Sequence, residues 1–210
     1  PYPLSDIMNY NNSFYKVVHK KKETTDNNIV YYFLNPFRSF VSNLICQHKN
    51  LDAIEKSLYD LWRYFERFDF DLTMENIHVW KEFKAILSDE FNTKDQEPLI
   101  SDVAFCRQYI TKLLLPLVVP IPKVDIAHLT LAGLPIIPAL IAKKKYNAAI
   151  VTTEHGVFIR ENMINISSSS LSFFIKRFII NCSESIARLA YTRSDLVTSV
   201  NKFNTTWEFR

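Results

Sequence analysis

Glycine is nearly missing from this chain: Gly133 and Gly156 are its only two in 210 residues. No GxGxxG fingerprint and no GxxxxGK[ST] phosphate loop can be built from them, which removes nicotinamide and P-loop nucleotide chemistry as leading readings. There is no Gly-x-Ser-x-Gly elbow and no Ser-His-Asp spacing to expose a nucleophile. Cysteine is scarce as well. Cys46, Cys106 and Cys182 lie far apart in apolar settings, without metal spacing. They read as reduced core or near-core residues of a cytoplasmic protein that holds no metal. Charge of one sign is lacking: 25 Lys and Arg against 22 Asp and Glu leave +3. The short basic runs at 19–23 and 143–145 read as solvated loops or helix ends, so nucleic acid is not an expected partner. Nor is there a long uncharged apolar run. Lys123, Asp125 and five prolines break residues 113–142 into uncharged pieces of 10 and 17 residues, short of the roughly 20 that a spanning helix needs. No basic-then-apolar signal segment opens the chain, and the first residue, Pro1, suggests a fragment or processed product.

What is present is a chain rich in hydrophobic residues (48%) and long enough for one sizeable core. Residues 14–18 and 29–34, "FYKVV" and "IVYYFL", are expected as strands because Tyr, Phe and Val favour them. Residues 50–68 give an amphipathic helix, with Leu51, Ile54, Leu58, Leu61, Phe65 and Phe68 at steps of three and four. Further helices are expected over about 75–90 and from Ser101–Asp102, a candidate N-cap, to Pro116. After Pro122 the rhythm changes to strand, helix, strand, helix, strand: 124–129, 134–145, 147–153, 170–191 and 195–200. The predicted fold class is α/β, a Rossmann-like parallel sheet with helices on both faces and an additional helical region. Residues 1–121 are read as a mixed strand and helical part of the same domain, incomplete at its start, and 122–210 as its βαβαβ core.

In such folds functional residues sit just past the carboxyl ends of the strands. That rule gathers His128, Thr130 and Gly133 past one strand and Glu154, His155 and Gly156 past the next. Asn201, Asn204 and Trp207 lie past the third. Gly156 is expected to let the chain turn directly at the strand end and open His155 to a cleft. His155 suits a hydrogen-bond donor or base, although a structural histidine stays open. Arg160 carries a rigid fork of donors for phosphate or sugar hydroxyls, or pairs with Glu154 or Glu161 to fix the loop.

The stretch "DIAHLTLAGLPIIPALIAKKKYNAAIVTTEHGVFIREN", followed by "RLAYTRSDLVTSVNKFNTTWEFR", resembles the amino-terminal domain of retaining glycosyltransferases of family 4, in the PelF-like branch. The residues that carry the likeness are His128, Thr130 and Gly133; then Thr153, Glu154, His155, Gly156, Arg160 and Glu161. Ala190, Tyr191 and Asp195 follow, and then Asn204, Trp207 and Glu208. Leu129, Val157 and Phe158 depart from that branch's usual Ala, Ile and Tyr. The likeness is specific over 122–210 and soft before it.

The resemblance implies the GT-B fold, two Rossmann-like domains facing across a cleft. The amino-terminal one shapes the acceptor side, and the carboxyl-terminal one, absent from these 210 residues, binds the nucleotide-sugar. The implied activity is transfer of a hexose from a UDP-linked donor to a saccharide acceptor in polysaccharide or glycoconjugate synthesis. These residues should transfer no sugar alone. His155 takes the catalytic place as a hydrogen-bonding group for the transferred sugar or its acceptor. His128, Thr130, Gly133, Glu154, Gly156, Arg160, Glu161 and Asn204 are the implied substrate-binding set, with Glu154 more a loop organiser than a base. No cofactor is implied beyond the nucleotide-sugar itself, and the implied location is cytoplasmic, at most peripheral at the inner membrane face. Two other readings stay open: a non-catalytic Rossmann-like interaction module, and a membrane-associated subunit of a polysaccharide export machine.

Overall fold

The structure, a computed structural model, describes residues 23–91 and 98–200. The expected strand at 14–18, and Asn201, Asn204, Trp207 and Glu208, lie outside the described residues. The chain begins with helix α1 (Asp26–Asn28), a π-helical turn (Ile29–Phe33) and α2 (Leu34–Ile45). Then come α3 (Leu51–Phe65), α4 (Phe70–Met74), α5 (Ile77–Glu90) and α6 (Ile100–Leu114), the last running into a 3-10 turn (Leu115–Val118). The second part alternates: β1 (Ile126–Leu129), α7 (Ile136–Tyr146), β2 (Ala149–Glu154), α8 (Phe158–Ser167), α9 (Phe173–Arg193) and β3 (Leu196–Ser199).

The expected strand at 29–34 is a helix. A strand would put Ile29, Tyr31 and Phe33 on one face, but Ile29 and Phe33 are buried while Tyr31 is 76% exposed. Burial at i and i+4 is a helical pattern, and packing of Phe33 against Phe37, Tyr64 and Phe65 overrides the local strand preference of an aromatic run. Side chains start several other helices. Asn50 accepts from the Ala53 N–H at 3.0 Å, Asp69 from Leu72, and Ser172 from Ile175. The expected cap at Ser101–Asp102 lies inside the first turn, two to three residues past the actual cap position, Leu99. The helix already begins at Ile100, and Asp102 instead accepts a hydrogen bond from Ser172 at 2.8 Å. Ser172 caps the long helix.

The second part forms the expected parallel sheet, in the order β1-β2-β3. The helices do not cover both of its faces. Along β2, residues Ile150, Thr152 and Glu154 are buried and their neighbours are not. On the other face Ile126 and Leu196 remain 61% and 54% exposed, beside exposed His128 and Thr198. Two successive crossovers that advance in the same direction and share one hand bring both helices to one side, which accounts for the one-sided burial. Among the described residues the sheet is therefore covered on one face only.

One continuous core joins the helical part to the sheet, from Ile29 and Phe33 through Phe83 and Phe178 to Ile150 and Ala190. Polar contacts lock the two parts at the end of α2, whose last carbonyls have no partner within the helix. Ser185 donates to the Leu44 carbonyl at 2.6 Å and Asn181 to Ile45 at 2.7 Å, while Lys49 bridges the Leu44 and Asn181 carbonyls at 3.1 and 3.2 Å. Cys106 and Cys182 are buried free thiols, and Cys46 is a half-buried one. Burial pushes all three thiols upward in pKa, the chemistry of inert core cysteines. Among the described residues, no helix is long and apolar enough to cross a membrane.

Candidate functional site

Parallel pairing puts the carboxyl ends of β1, β2 and β3 on one edge of the sheet, so the loops after them face the same side. Thr130 follows β1 and is exposed; His155 follows β2 and is exposed. Arg160, in the first turn of α8, is exposed and makes no ion pair among the described residues. Pairing of Arg160 with Glu154 or Glu161, one of its expected roles, is thus not what the loop uses.

His128 stands on the open face of β1. Its Nε2 lies 2.8 Å from the Thr153 hydroxyl, which lies 2.9 Å from the hydroxyl of Thr198. A polar ladder thus crosses all three strands and fixes the imidazole. Thr198 carried no signal in the sequence, since its place beside Thr153 depends on strand register. The period-2 rule would have found it once β2 and β3 were aligned.

Beneath the exposed groups lies a buried frame. Glu154 is fully buried and accepts from the Tyr191 hydroxyl at 2.6 Å and from the Ala132 N–H at 3.3 Å. One carboxylate therefore joins the end of β2, the loop after β1 and helix α9. Burial leaves Glu154 no surface to offer a ligand, so its place in the site is that of an organiser. Gly133 is buried too, and a side chain there would crowd Leu131 and the ring of Phe158. It joins the same frame by letting the first loop lie against the start of α8.

Gly156 departs from expectation in its reason. Neither glycine has a positive φ, so no left-handed turn requires it. What requires it is space, because a Cβ at position 156 would meet the Glu161 carboxylate. Glu161, in the first turn of α8, folds back over the loop, where a negative charge suits the helix N-terminus. Gly156→Ala should displace this carboxylate, a mobile side-chain end, and lower stability by only about 0.3–1 kcal/mol, the worth of a charge at a helix end. Melting temperatures of Gly156→Ala and of Gly156→Ala with Glu161→Ala should then nearly coincide. A large drop that removing Glu161 does not relieve would show that the backbone itself needs glycine.

Asp195 closes the frame from the other side. It bonds Lys143 at 2.7 Å and accepts from the Ile150 N–H at 2.8 Å, joining α7, β2 and the start of β3. Lys143, and after it the Ile150 N–H, hold its carboxyl below the ordinary Asp value. A folded-state pKa below the unfolded one gives stability that is present above about pH 3.9, the unfolded Asp value, and lost as pH falls through the folded value. Asp195→Asn should therefore melt below the wild type at pH 6, with the gap closing as the pH drops below about 4. The effect is small because the pair is half exposed. A gap that stays constant with pH would refute the charge account.

The residues expected at the site thus divide in three. His128, Thr130, His155 and Arg160 are exposed at or near the carboxyl edge. Gly133, Glu154, Tyr191 and Asp195 build the frame, and Gly156 with Glu161 shapes the loop. Among the described residues no group of three or more His, Cys, Asp or Glu side chains could hold a metal ion. The family described as "Domain of unknown function (DUF3492)" matches residues 6–210. No curated protein and no solved structure matches the chain.

Proposed function

This chain belongs to the DUF3492 family, and we propose on that premise that it is the acceptor-side, Rossmann-like half of a retaining glycosyltransferase of the GT-B type. The observation that carries the reading is the arrangement at the sheet edge. Exposed His155 and Arg160 stand past β2, and exposed Thr130 past β1, on a frame that one buried carboxylate joins to both strands. The likeness to family 4 supports it, because among its matched residues His128, Thr130, His155 and Arg160 are exposed at or near that edge while Gly133, Glu154, Tyr191 and Asp195 build the frame.

In this reading a hexose passes from a UDP-linked donor to a hydroxyl of a saccharide acceptor. The bond from the anomeric carbon to the diphosphate breaks, a bond to the acceptor oxygen forms on the same face, and UDP leaves with the acceptor hydroxyl's proton on its phosphate oxygen. His155 hydrogen-bonds the transferred sugar or its acceptor as charge develops in the transition state, and Arg160 holds hydroxyl or phosphate oxygens with its fork of donors. No side chain takes a covalent role. Donor binding belongs to a carboxyl-terminal domain that is not among these 210 residues. His155 is the catalytic residue proposed, with His128, Thr130, Arg160 and Asn204 binding substrate, and the work is placed in the cytoplasm.

The test compares the full-length polypeptide with residues 1–210 alone, each given a panel of UDP-hexoses and oligosaccharide acceptors. Acceptor-dependent UDP release is expected from the first and none from the second. Release from neither would turn the reading toward a non-catalytic module, and transfer by the 210 residues alone would remove the second domain from the account.

A further inference from the structure

The helical part carries a feature that the sheet-edge reading does not use. Tyr31 and Tyr32 are 76% and 62% exposed, and both lie in the π-helical turn Ile29–Phe33. The Leu34 N–H reaches back to the Ile29 carbonyl, so the turn holds one residue more than an α turn would. Ile29 and Phe33 stay in the core while the tyrosines between them are pushed outward. Single π turns inside α-helices are rare and gather at functional sites. Tyr32 stacks on Phe68 with ring centroids 6.4 Å apart and planes within 12°. Together they wall an open groove of about 720 Å³.

The rim of the groove is polar. Asp60 and Arg63 on α3, and Arg67 just past its end, line it and are exposed. Among the described residues none of these three side chains, and neither tyrosine hydroxyl, makes a hydrogen bond or ion pair. Exposed aromatic rings beside a carboxylate and two guanidinium groups, whose polar atoms find no partner among the described residues, can serve a ligand from outside.

We infer that this groove, walled by Tyr31 and Tyr32 and rimmed by Asp60, Arg63 and Arg67, binds a saccharide chain. A pyranose offers an apolar C–H face to lie on a tyrosine ring, and neighbouring hydroxyls that both donate and accept. Asp60 needs a donor from the ligand and the two arginines need acceptors; a polyol supplies both at once. Glu23 also lines the groove, so among the described residues its two positive and two negative charges balance. That balance disfavours a phosphate-rich polyanion. A proline-rich peptide could also lie on the tyrosines, but proline lacks the N–H that Asp60 would accept from. The inference concerns binding alone and does not depend on the transfer reading. If both hold, the groove keeps a growing acceptor chain on the enzyme, at a site other than the one built by His155.

The test is titration of the full-length polypeptide with cellohexaose, maltohexaose, chitohexaose and a decaproline peptide, followed by calorimetry. At least one hexasaccharide should bind. Tyr31→Ala and Arg63→Ala, both surface changes, should each weaken it by about 10-fold or more while melting temperature holds. His155→Ala should leave this binding intact. Absence of binding by all three saccharides, binding indifferent to Tyr31→Ala and Arg63→Ala, or capture of decaproline alone would each overturn the proposal. Saccharide binding without sugar transfer would count against the proposed function only, and transfer without groove binding against this inference only.

Discussion

On the proposed function, His155→Ala in the full-length polypeptide should lower turnover by about 10- to 150-fold while the melting temperature stays nearly unchanged. The rate loss corresponds to about 1.5–3 kcal/mol, the worth of a hydrogen bond to a group that gains charge, converted through the transition-state relation. The second half of the expectation comes from the fold. His155 is exposed and makes no hydrogen bond or ion pair among the described residues, so truncating it removes no packing. A structural histidine would behave in the opposite way, with stability lost and activity per folded molecule kept. Turnover and melting measured on the same preparation separate the two.

Tyr191→Phe should show the reverse pattern, loss of stability first. The Tyr191 hydroxyl donates at 2.6 Å to a carboxylate that is fully buried. Withdrawing a donor from a buried acceptor costs about 1–3 kcal/mol, or about 2–12 °C for a protein of this size. Glu154→Ala should cost more, since it also removes the acceptor of the Ala132 N–H and leaves a cavity. Both variants loosen the loop after β1, so activity should fall only as far as the loop loses its shape. Thermal melts of the two variants beside His155→Ala give the order Glu154→Ala, Tyr191→Phe, His155→Ala, from least to most stable. Any other order would mean that the carboxylate is not the centre of the frame.

The three strands were legible because each is a short apolar run bounded by Pro, Asn, Asp or Glu, and because helical patterns alternate with them. Their parallel pairing follows from that alternation. Residues 29–34 were misleading for a physical reason: their composition favours a strand, and only contacts with Tyr64 and Phe65, some thirty positions away, make them helical. Helix α8 was invisible because it buries no residue, which leaves no hydrophobic period to read. The exposed side chains of the site could be named in advance, since strand ends are where such residues collect. Their supports were named only through the family likeness, and the contacts among them were not. A glutamate at a strand end reads as solvated, and nothing local announces that Tyr191, 37 positions later, will bury it with a hydrogen bond. Gly156 illustrates the same limit, its need for space being set by a side chain five positions on rather than by its own φ.

The most direct test of the central claim is a crystal structure of the full-length protein with UDP and a bound hexose or acceptor saccharide. The account predicts sugar oxygens within hydrogen-bonding distance of His155, about 2.6–3.2 Å, with the ligand lying across the carboxyl ends of β1 and β2. A sugar and nucleotide bound elsewhere, with His155 and Arg160 left facing solvent, would contradict it.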